Sequence, residues 1–302
     1  MQKYPEFKKK FIERYSKLTD FEKFKEYSTK KQDKSIRINT LKVKVSDFKL
    51  VGFKLKQIPW CKEGFWISGE RTDLGNLAEH GLGYFYIQEA SSMVPCLILD
   101  PKKEEYVLDI AAAPGSKTTQ MGAMMENKGL IIANEISYKR VKALNANLQR
   151  CGVSNAVVTL MDGKNFRNYR FDKILLDAPC SGTGTIRKSP NTIIEWSPRI
   201  IRKLVNTQKK LIKNAFENLN IGGVLVYSTC SVEPEENEGV VSYLLNNFPN
   251  ASLEDIKLNI KSSSPILEFE GYKYNKEVKK CLRIWPQDNC TDGFFVAKII
   301  KS

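Results

Sequence analysis

Two cysteines stand where apolar runs end. The run at 174–176 leads into Asp177, and Pro179 then presents Cys180 before a Gly/Thr loop; the run at 223–227 leads into Ser228-Thr229-Cys230. A free thiol of pKa about 8.5 is a few per cent thiolate at neutral pH, yet intrinsically very nucleophilic. A buried strand that ends in an acid and a thiol delivers both to one loop. Two thiols at two strand ends suit a reaction in which one group adds and another promotes elimination. Residue types alone do not choose between Cys180 and Cys230.

A second cluster precedes them. Asp109-Ile110-Ala111-Ala112-Ala113-Pro114-Gly115-Ser116-Lys117-Thr118 follows an apolar run and opens into a helix. Small residues let a ligand approach the backbone, and a helix N-terminus offers unpaired N–H groups to a carboxylate or phosphate. A phosphate-binding P-loop would need Gly in place of Ile110 and Gly directly before Lys117, so a nucleoside-containing cofactor is the better expectation. Glu135, about 20 residues beyond the loop, is placed to accept hydrogen bonds from two ribose hydroxyls. Asp162-Gly163 puts another carboxylate where an adenine amino group could donate. Acids at three consecutive strand ends, Glu135, Asp162 and Asp177, favour function over solvated loops.

The elements that must position these groups alternate from residue 106 onward. Strands are expected at 106–110, 130–133, 156–160, 174–176 and 224–227, with helices at 117–125, 138–151, 198–218 and 234–247. That alternation predicts a parallel, doubly wound α/β sheet with its ligands at the carboxyl ends of the strands. Two last strands, 282–285 and 293–300, are joined by a polar stretch too short for a helix and predict an antiparallel edge hairpin. Upstream, 3–27 reads as two short helices with a capping box from Thr19 to Glu22. Strands at 35–41, 53–58 and 65–67, with a helix at 46–50, complete a small α+β lobe, and 89–99 reads as a helix. The predicted division is therefore 1–80 and 81–302. The polar stretch 262–276 is expected to be flexible.

Composition narrows the function classes. The chain has 302 residues and net charge +14, and residues 1–60 carry 17 Lys/Arg against 7 Asp/Glu. A basic lobe suggests a polyanionic partner, because Lys and Arg gain affinity by releasing phosphate counterions; a Lys-rich surface composition is the alternative. Thr185 to Pro190, after the cysteine loop, is expected to be exposed and to touch RNA phosphate. Seven scattered cysteines without a Cys-x-x-Cys pair argue against a disulfide framework or a zinc site, so no metal is expected. His80, the single histidine, lacks a partner pattern. No apolar run is long enough to cross a membrane, and a cytoplasmic monomer is expected.

The thiol chemistry fits one substrate well. Carbon 5 of cytosine is a poor nucleophile toward a sulfonium methyl group; thiolate attack at carbon 6, with an acid assisting at N3, makes it enamine-like. The proton left on carbon 5 must then go before the thiol departs. Asp-Ala-Pro-Cys-Ser-Gly-Thr-Gly (177–184), Ser-Thr-Cys-Ser-Val (228–232), Ala-Ala-Pro-Gly-Ser-Lys-Thr (112–118) and Thr-Asp-Gly-Phe-Phe (291–295) together resemble the Sun (Fmu) family of RNA cytosine-5 methyltransferases. Arg37-Ile38-Asn39-Thr40-Leu41-Lys42 and Gln88-Glu89-Ala90-Ser91-Ser92-Met93 resemble its flanking motifs, so the likeness spans 35–300.

The resemblance implies a class I (Rossmann-like) fold that binds S-adenosyl-L-methionine, with an RNA-recognition-like N-terminal lobe. It assigns Cys230 as the nucleophile, Cys180 as the group that helps release the product, and Asp177 as an acid beside cytosine and cofactor. It also places Ala111, Ala112, Ala113, Pro114, Gly115, Ser116, Lys117, Glu135, Arg140, Asp162 and Gly163 around the cofactor. Ser116 departs from the family's second glycine, and Gln287 stands where a His is common, which puts any RNA contact there in doubt. The compact form, similar to archaeal tRNA enzymes, favours tRNA as substrate. Ribosomal RNA and a non-catalytic RNA-binding assembly factor are the alternatives.

Overall fold

The computed structural model describes residues 4–69 and 71–302; the first position of the expected 3–27 segment lies outside them. Two helices open the chain, α1 (Lys9–Tyr15) and α2 (Phe21–Thr29). The cap of α2 is Asp20, whose side chain accepts from the Lys23 amide at 3.1 Å, rather than the expected Thr19. A carboxylate there also complements the helix dipole.

Next come β1 (Lys34–Ile38), β2 (Phe53–Ile58), β3 (Cys61–Gly69), α3 (Ala78–Gly81) and β4 (Phe85–Ile87), whose strands form an antiparallel sheet in the order β2-β3-β1-β4. The sheet runs past the expected division at residue 80, since β4 pairs with β1 through Arg37 and Tyr86. The expected helix at 46–50 is only a 3₁₀ turn, Val45–Asp47. Ile36, Ile38, Phe48, Leu50, Ile67 and Phe85 close a small core under this sheet.

The main body contains α4 (Val94–Leu99), β5 (Tyr106–Asp109), α5 (Ser116–Met124), β6 (Leu130–Glu135), α6 (Tyr138–Cys151), β7 (Ala156–Leu160), β8 (Phe171–Asp177), α7 (Asn191–Glu195), α8 (Pro198–Glu217), β9 (Leu219–Thr229) and α9 (Glu238–Asn247). It finishes with β10 (Ala251–Glu254), the short pair β11 (Glu268–Phe269) and β12 (Tyr272–Lys273), β13 (Leu282–Ile284), α10 (Pro286–Asn289) and β14 (Phe294–Lys301). The main sheet runs β7-β6-β5-β8-β9-β14-β10, and its first five strands are parallel. From β5 the chain winds outward through β6 and β7, then returns to β8 and β9 on the other side. The order therefore reverses between β5 and β8, where an open α/β sheet leaves its ligand crevice.

The C-terminal strands are antiparallel, but β14 lies inside the sheet between β9 and β10, and β13 pairs along its other half. A short helix, α10, with Pro286 in its first turn, occupies the polar connection expected to be too short for one. The segment 262–276 is ordered into the β11–β12 hairpin, because Glu270 at its turn reaches Arg14 at 2.8 Å.

The opening helices do not belong to the small sheet. Phe11, Tyr15 and Phe24 are fully buried with Trp196 and Trp285 of the main body, and the Phe11 ring lies 5.1 Å from that of Trp196. Truncating such an aromatic costs about 3–5 kcal/mol. Arg14 adds ion pairs to Glu233, Glu235 and Glu270, and Tyr15 donates to Glu233 at 2.7 Å. Gln287, at the position of the missing His, is spent on Thr19 at 2.8 Å.

Candidate active site

At the reversal point, β8 and β9 end side by side, with Asp177 opposite Ser228. Each then releases a thiol, and the sulfurs of Cys180 and Cys230 lie 3.3 Å apart, both half-buried. The approach depends on two glycines. Gly184 donates its amide to the Cys230 carbonyl and accepts from Gly293, and a side chain at 184 would sit 2.3 Å from the Gly293 oxygen. Three of the motifs read in sequence therefore meet at one backbone junction.

Asp177 is held from two directions. Lys117 donates to its Oδ2 at 2.7 Å and Ser228 to its Oδ1 at 2.8 Å. Lys117 belongs to the small-residue loop and was expected beside a cofactor. The structure turns its ammonium toward Asp177, itself expected beside cytosine and cofactor, and toward Ser92 at 3.0 Å. Burial alone would lower the Lys117 ammonium, but the Asp177 carboxylate outweighs it and holds it above its ordinary value. The Cys180 thiol is pushed well up by its hydrogen bond with Cys230, then by burial and by the nearby Glu236 charge.

On the other side of the reversal, Ala111, Ala112, Ala113, Pro114 and Gly115 form a tight loop, with Gly115 at φ +101° and Ser116 starting α5. A residue with a Cβ is strained there. Glu135 ends β6, almost fully buried. Its Oε1 accepts from the Ser137 amide at 2.9 Å, while its Oε2 has no aligned hydrogen-bond donor, although Arg140 lies 3.0 Å away as an ion pair. Arg140 also donates to the Ala113 carbonyl, tying the loop to α6. Asp162 follows β7, where burial would raise it but Lys164, at 2.9 Å, holds it below the ordinary range. Gly163 packs under Ile110. A buried acceptor without a donor, a second carboxylate and the bare N-terminus of a nine-residue helix fit the adenosine and amino-acid ends of S-adenosyl-L-methionine.

Beneath the loop, Asp109 is buried and accepts from Thr118 at 2.7 Å; burial pushes its carboxyl up to about 7. The expected exposed basic stretch after Cys180 is instead half internal. Arg187 is buried against the Thr291 carbonyl and Asp292, and Lys188 pairs with the same Asp292 at 2.5 Å. Buried Asp292 needs those cations, so only part of the stretch is left to face solvent.

The glutamates after Cys230 were missed as site residues. Glu233, Glu236 and Glu238 are fully buried. Glu233 is held by Arg14, Tyr15 and Trp196, and Glu238 by Arg283 at 2.6 Å. Four glutamates within six positions, directly after a thiol and before an apolar helix, were the available signal. The sequence reading absorbed them into a helix from 234, whereas α9 begins at Glu238.

Among the described residues, no cluster of His, Cys, Asp and Glu could hold a metal ion, and no helix is long and apolar enough to cross a membrane.

A parallel sheet whose order reverses beside a small-residue loop is a Rossmann-like architecture, the one expected of a class I methyltransferase. Residues 96–300 match the 16S rRNA methyltransferase RsmB/F family, and residues 7–90 match the N-terminal domain of 16S rRNA methyltransferase RsmF. The chain belongs to this family, the Sun (Fmu) family of S-adenosylmethionine-dependent RNA methyltransferases. It is 50% identical, over 99% of its length and 98% of the relative's, to the tRNA (cytosine(49)-C(5))-methyltransferase of Pyrococcus abyssi. It is 47% identical to the ribosomal RNA small subunit methyltransferase F of Vibrio cholerae, spanning only 57% of that protein. A methyltransferase homolog protein from Pyrococcus horikoshii superimposes with a TM-score of 0.82 at 39% identity, covering 93% of this chain and 90% of its own. NSun6 from the same organism, solved with SFG, gives 0.84 at 27% identity over 98% of both chains.

Proposed function

We propose that this chain is a tRNA (cytosine-5)-methyltransferase. The observation that carries the proposal is the Cys180–Cys230 pair at 3.3 Å, flanked by an Asp177 that Lys117 fixes at 2.7 Å. Cys230 adds through its sulfur to carbon 6 of an extruded cytosine: its thiol proton is released, the S–C6 bond forms, and the C5=C6 π pair shifts to make carbon 5 nucleophilic. Asp177 faces ring N3 and holds the Lys117 ammonium, whose positive charge and proton stabilise the negative charge that addition drives into the ring. S-adenosyl-L-methionine, when bound, supplies an electrophilic methyl group for carbon 5. Cys180 then assists removal of the carbon 5 proton; the C5=C6 bond re-forms and the S–C6 bond to Cys230 breaks. Ala111 to Ser116, Glu135 and Asp162 bind and orient the cofactor.

A groove of about 860 Å³ supports an RNA partner. Its basic lining comes from Lys30, Lys31 and Lys34, with Asp33 and Glu89 beside them, and Arg187 and Lys188, both paired to Asp292, join it to the Cys180 loop. Neither this groove nor the larger cleft between the small sheet and α5 is lined by a thiol. Transfer RNA is favoured over ribosomal RNA because the chain is 50% identical to the Pyrococcus abyssi tRNA enzyme over 98% of that enzyme, against 47% over 57% of the Vibrio cholerae one. A target base must leave its stack to reach a half-buried thiol, so a junctional cytosine is expected.

The test is transfer of labelled methyl from S-adenosylmethionine to total RNA, followed by base-resolution mapping of 5-methylcytosine. Label at one tRNA cytosine supports the proposal. Label in small-subunit ribosomal RNA alone would favour the second reading, and no transfer despite cofactor binding would reject both.

A further inference from the structure

Cys180 and Cys230 are each followed by a serine, and one carboxyl group holds both serines. Glu236 accepts from the Ser181 amide at 3.0 Å and from Gln208 at 2.9 Å through Oε1. Its Oε2 accepts from the hydroxyls of Ser181 and Ser231, the latter at 2.6 Å. Gln208 also donates to the Pro179 carbonyl at 2.9 Å, so α8 closes the same knot. The two serine hydroxyls lie 3.1 Å apart. The neighbouring acids have cations, Arg14 for Glu233 and Glu235 and Arg283 for Glu238, whereas Glu236 is held by neutral donors. A buried carboxyl without a cation is costly, and it is retained where its hydrogen bonds specify a geometry.

Resting on the methyltransferase function proposed above, we propose that Glu236 is a positioning residue that locks the Cys180 loop to the Cys230 loop and so sets the spacing of the two sulfurs. The lock works in either charge state. Both N–H donors meet Oε1, so a proton on Oε2 still finds a serine hydroxyl able to accept. Burial pushes the carboxyl up to about 7, consistent with such a site. Bridging, rather than negative charge, is thus the property that matters.

Three substitutions in the full chain separate these properties. Glu236→Gln keeps the acceptor at Oε1 and places an amide donor before both serines. Glu236→Asp keeps the charge but is one methylene too short to span both loops, and Glu236→Ala removes everything. The direct readout is the rate at which diamide oxidises Cys180 and Cys230 to a disulfide. Two thiols lose two protons and two electrons to the N=N bond, which becomes a hydrazine. The product is counted by loss of alkylatable thiol in the two peptides.

The expected order is wild type and Gln within about threefold of each other, with Asp and Ala slower by about tenfold or more, since an ångström of misplacement costs up to about a hundredfold. Methylation kcat should follow the same order with the KM for S-adenosylmethionine unchanged. A folded Asp variant that oxidises and methylates like wild type, with Gln impaired, would overturn the proposal. If Ala fails to fold, the Gln and Asp pair still decides it. The oxidation arm needs no RNA, so a wild type that methylates nothing would reject the function while the thiol rates still decide the lock.

Discussion

On the β8–β9 side of the crevice, carboxyl groups are committed to protein donors; on the β6–β7 side, acceptor capacity is left over. Asp177 spends one oxygen on Lys117 and the other on Ser228, and Glu236 is saturated by two serines and a glutamine. Glu135 is equally buried, yet its Oε2 lacks an aligned donor, and its partner Arg140 has a half-exposed side chain. Asp162 differs from Glu135 in having a donor on each oxygen, the Lys164 amide and ammonium, but both come from its own loop and the side chain is partly exposed. One half is arranged to fix atoms, the other to receive them. Substitutions on the first side should therefore reduce chemistry, and those on the second should weaken cofactor binding.

The largest effect is expected at Cys230. Cys230→Ala should abolish methylation, by about 10³-fold or more, and should abolish covalent adducts with RNA, read as a protein–RNA band in denaturing gels. Cys180→Ala should slow turnover while letting that band accumulate, because addition survives and elimination does not. The reverse pattern would exchange the two roles. Lys117→Met keeps the aliphatic stem but leaves Asp177 with Ser228 alone. It should cut the single-turnover rate by about 10²-fold. An unchanged rate accompanied by lost cofactor binding would return Lys117 to the β6–β7 side of the comparison.

Why the thiols were legible and Glu236 was not follows from how each is encoded. The carboxyl ends of β5, β6, β8 and β9 were visible because largely buried parallel strands read as continuous apolar runs, each stopping at or beside a candidate site residue; β7, at the sheet edge, is half-exposed and was read from its β-branched residues. The Cys180–Cys230 pairing needed only that β8 and β9 be neighbours. Glu236 has no such local marker, since its role depends on four donors from Ser181, Ser231 and Gln208 that converge only after folding. Arg187 misled for the opposite reason. A basic loop resembles a phosphate contact, and only the return of β14 brings Asp292 to neutralise it. The boundary read at residue 80 falls before β4, which follows a helix and a turn although its pairing partner is β1, some fifty residues upstream. The opening helices carry basic surfaces, but their apolar faces serve the main body, which periodicity alone cannot assign.

On the receiving side, Glu135→Ala should raise the dissociation constant for S-adenosylmethionine by about 10- to 100-fold, the loss of charge-assisted hydrogen bonds. The rate at saturating cofactor and the diamide oxidation of the thiol pair should stay near wild type. Titration calorimetry with the cofactor checks the first. A variant with normal affinity but collapsed kcat would erase the distinction between the two halves.

The smallest expected effect lies at the reversal point itself, where Asp109 supports the loop that separates the halves. Its carboxyl is fully buried and pushed up to about 7 from an ordinary 3.8. Between those values the folded chain holds a proton that the unfolded chain has released. This group's contribution to stability therefore falls as pH rises from about 4 to 7 and is level above that. Asp109→Asn removes the titration while its side-chain oxygen still accepts from Thr118. The melting temperature of the variant minus that of wild type should become more positive between pH 5.5 and pH 8, by about a few degrees. A difference that stays constant across that range would mean Asp109 is ionised throughout. The loop would then rest on a charged carboxylate, as the Asp177 side does, and the contrast between the halves would narrow at its centre.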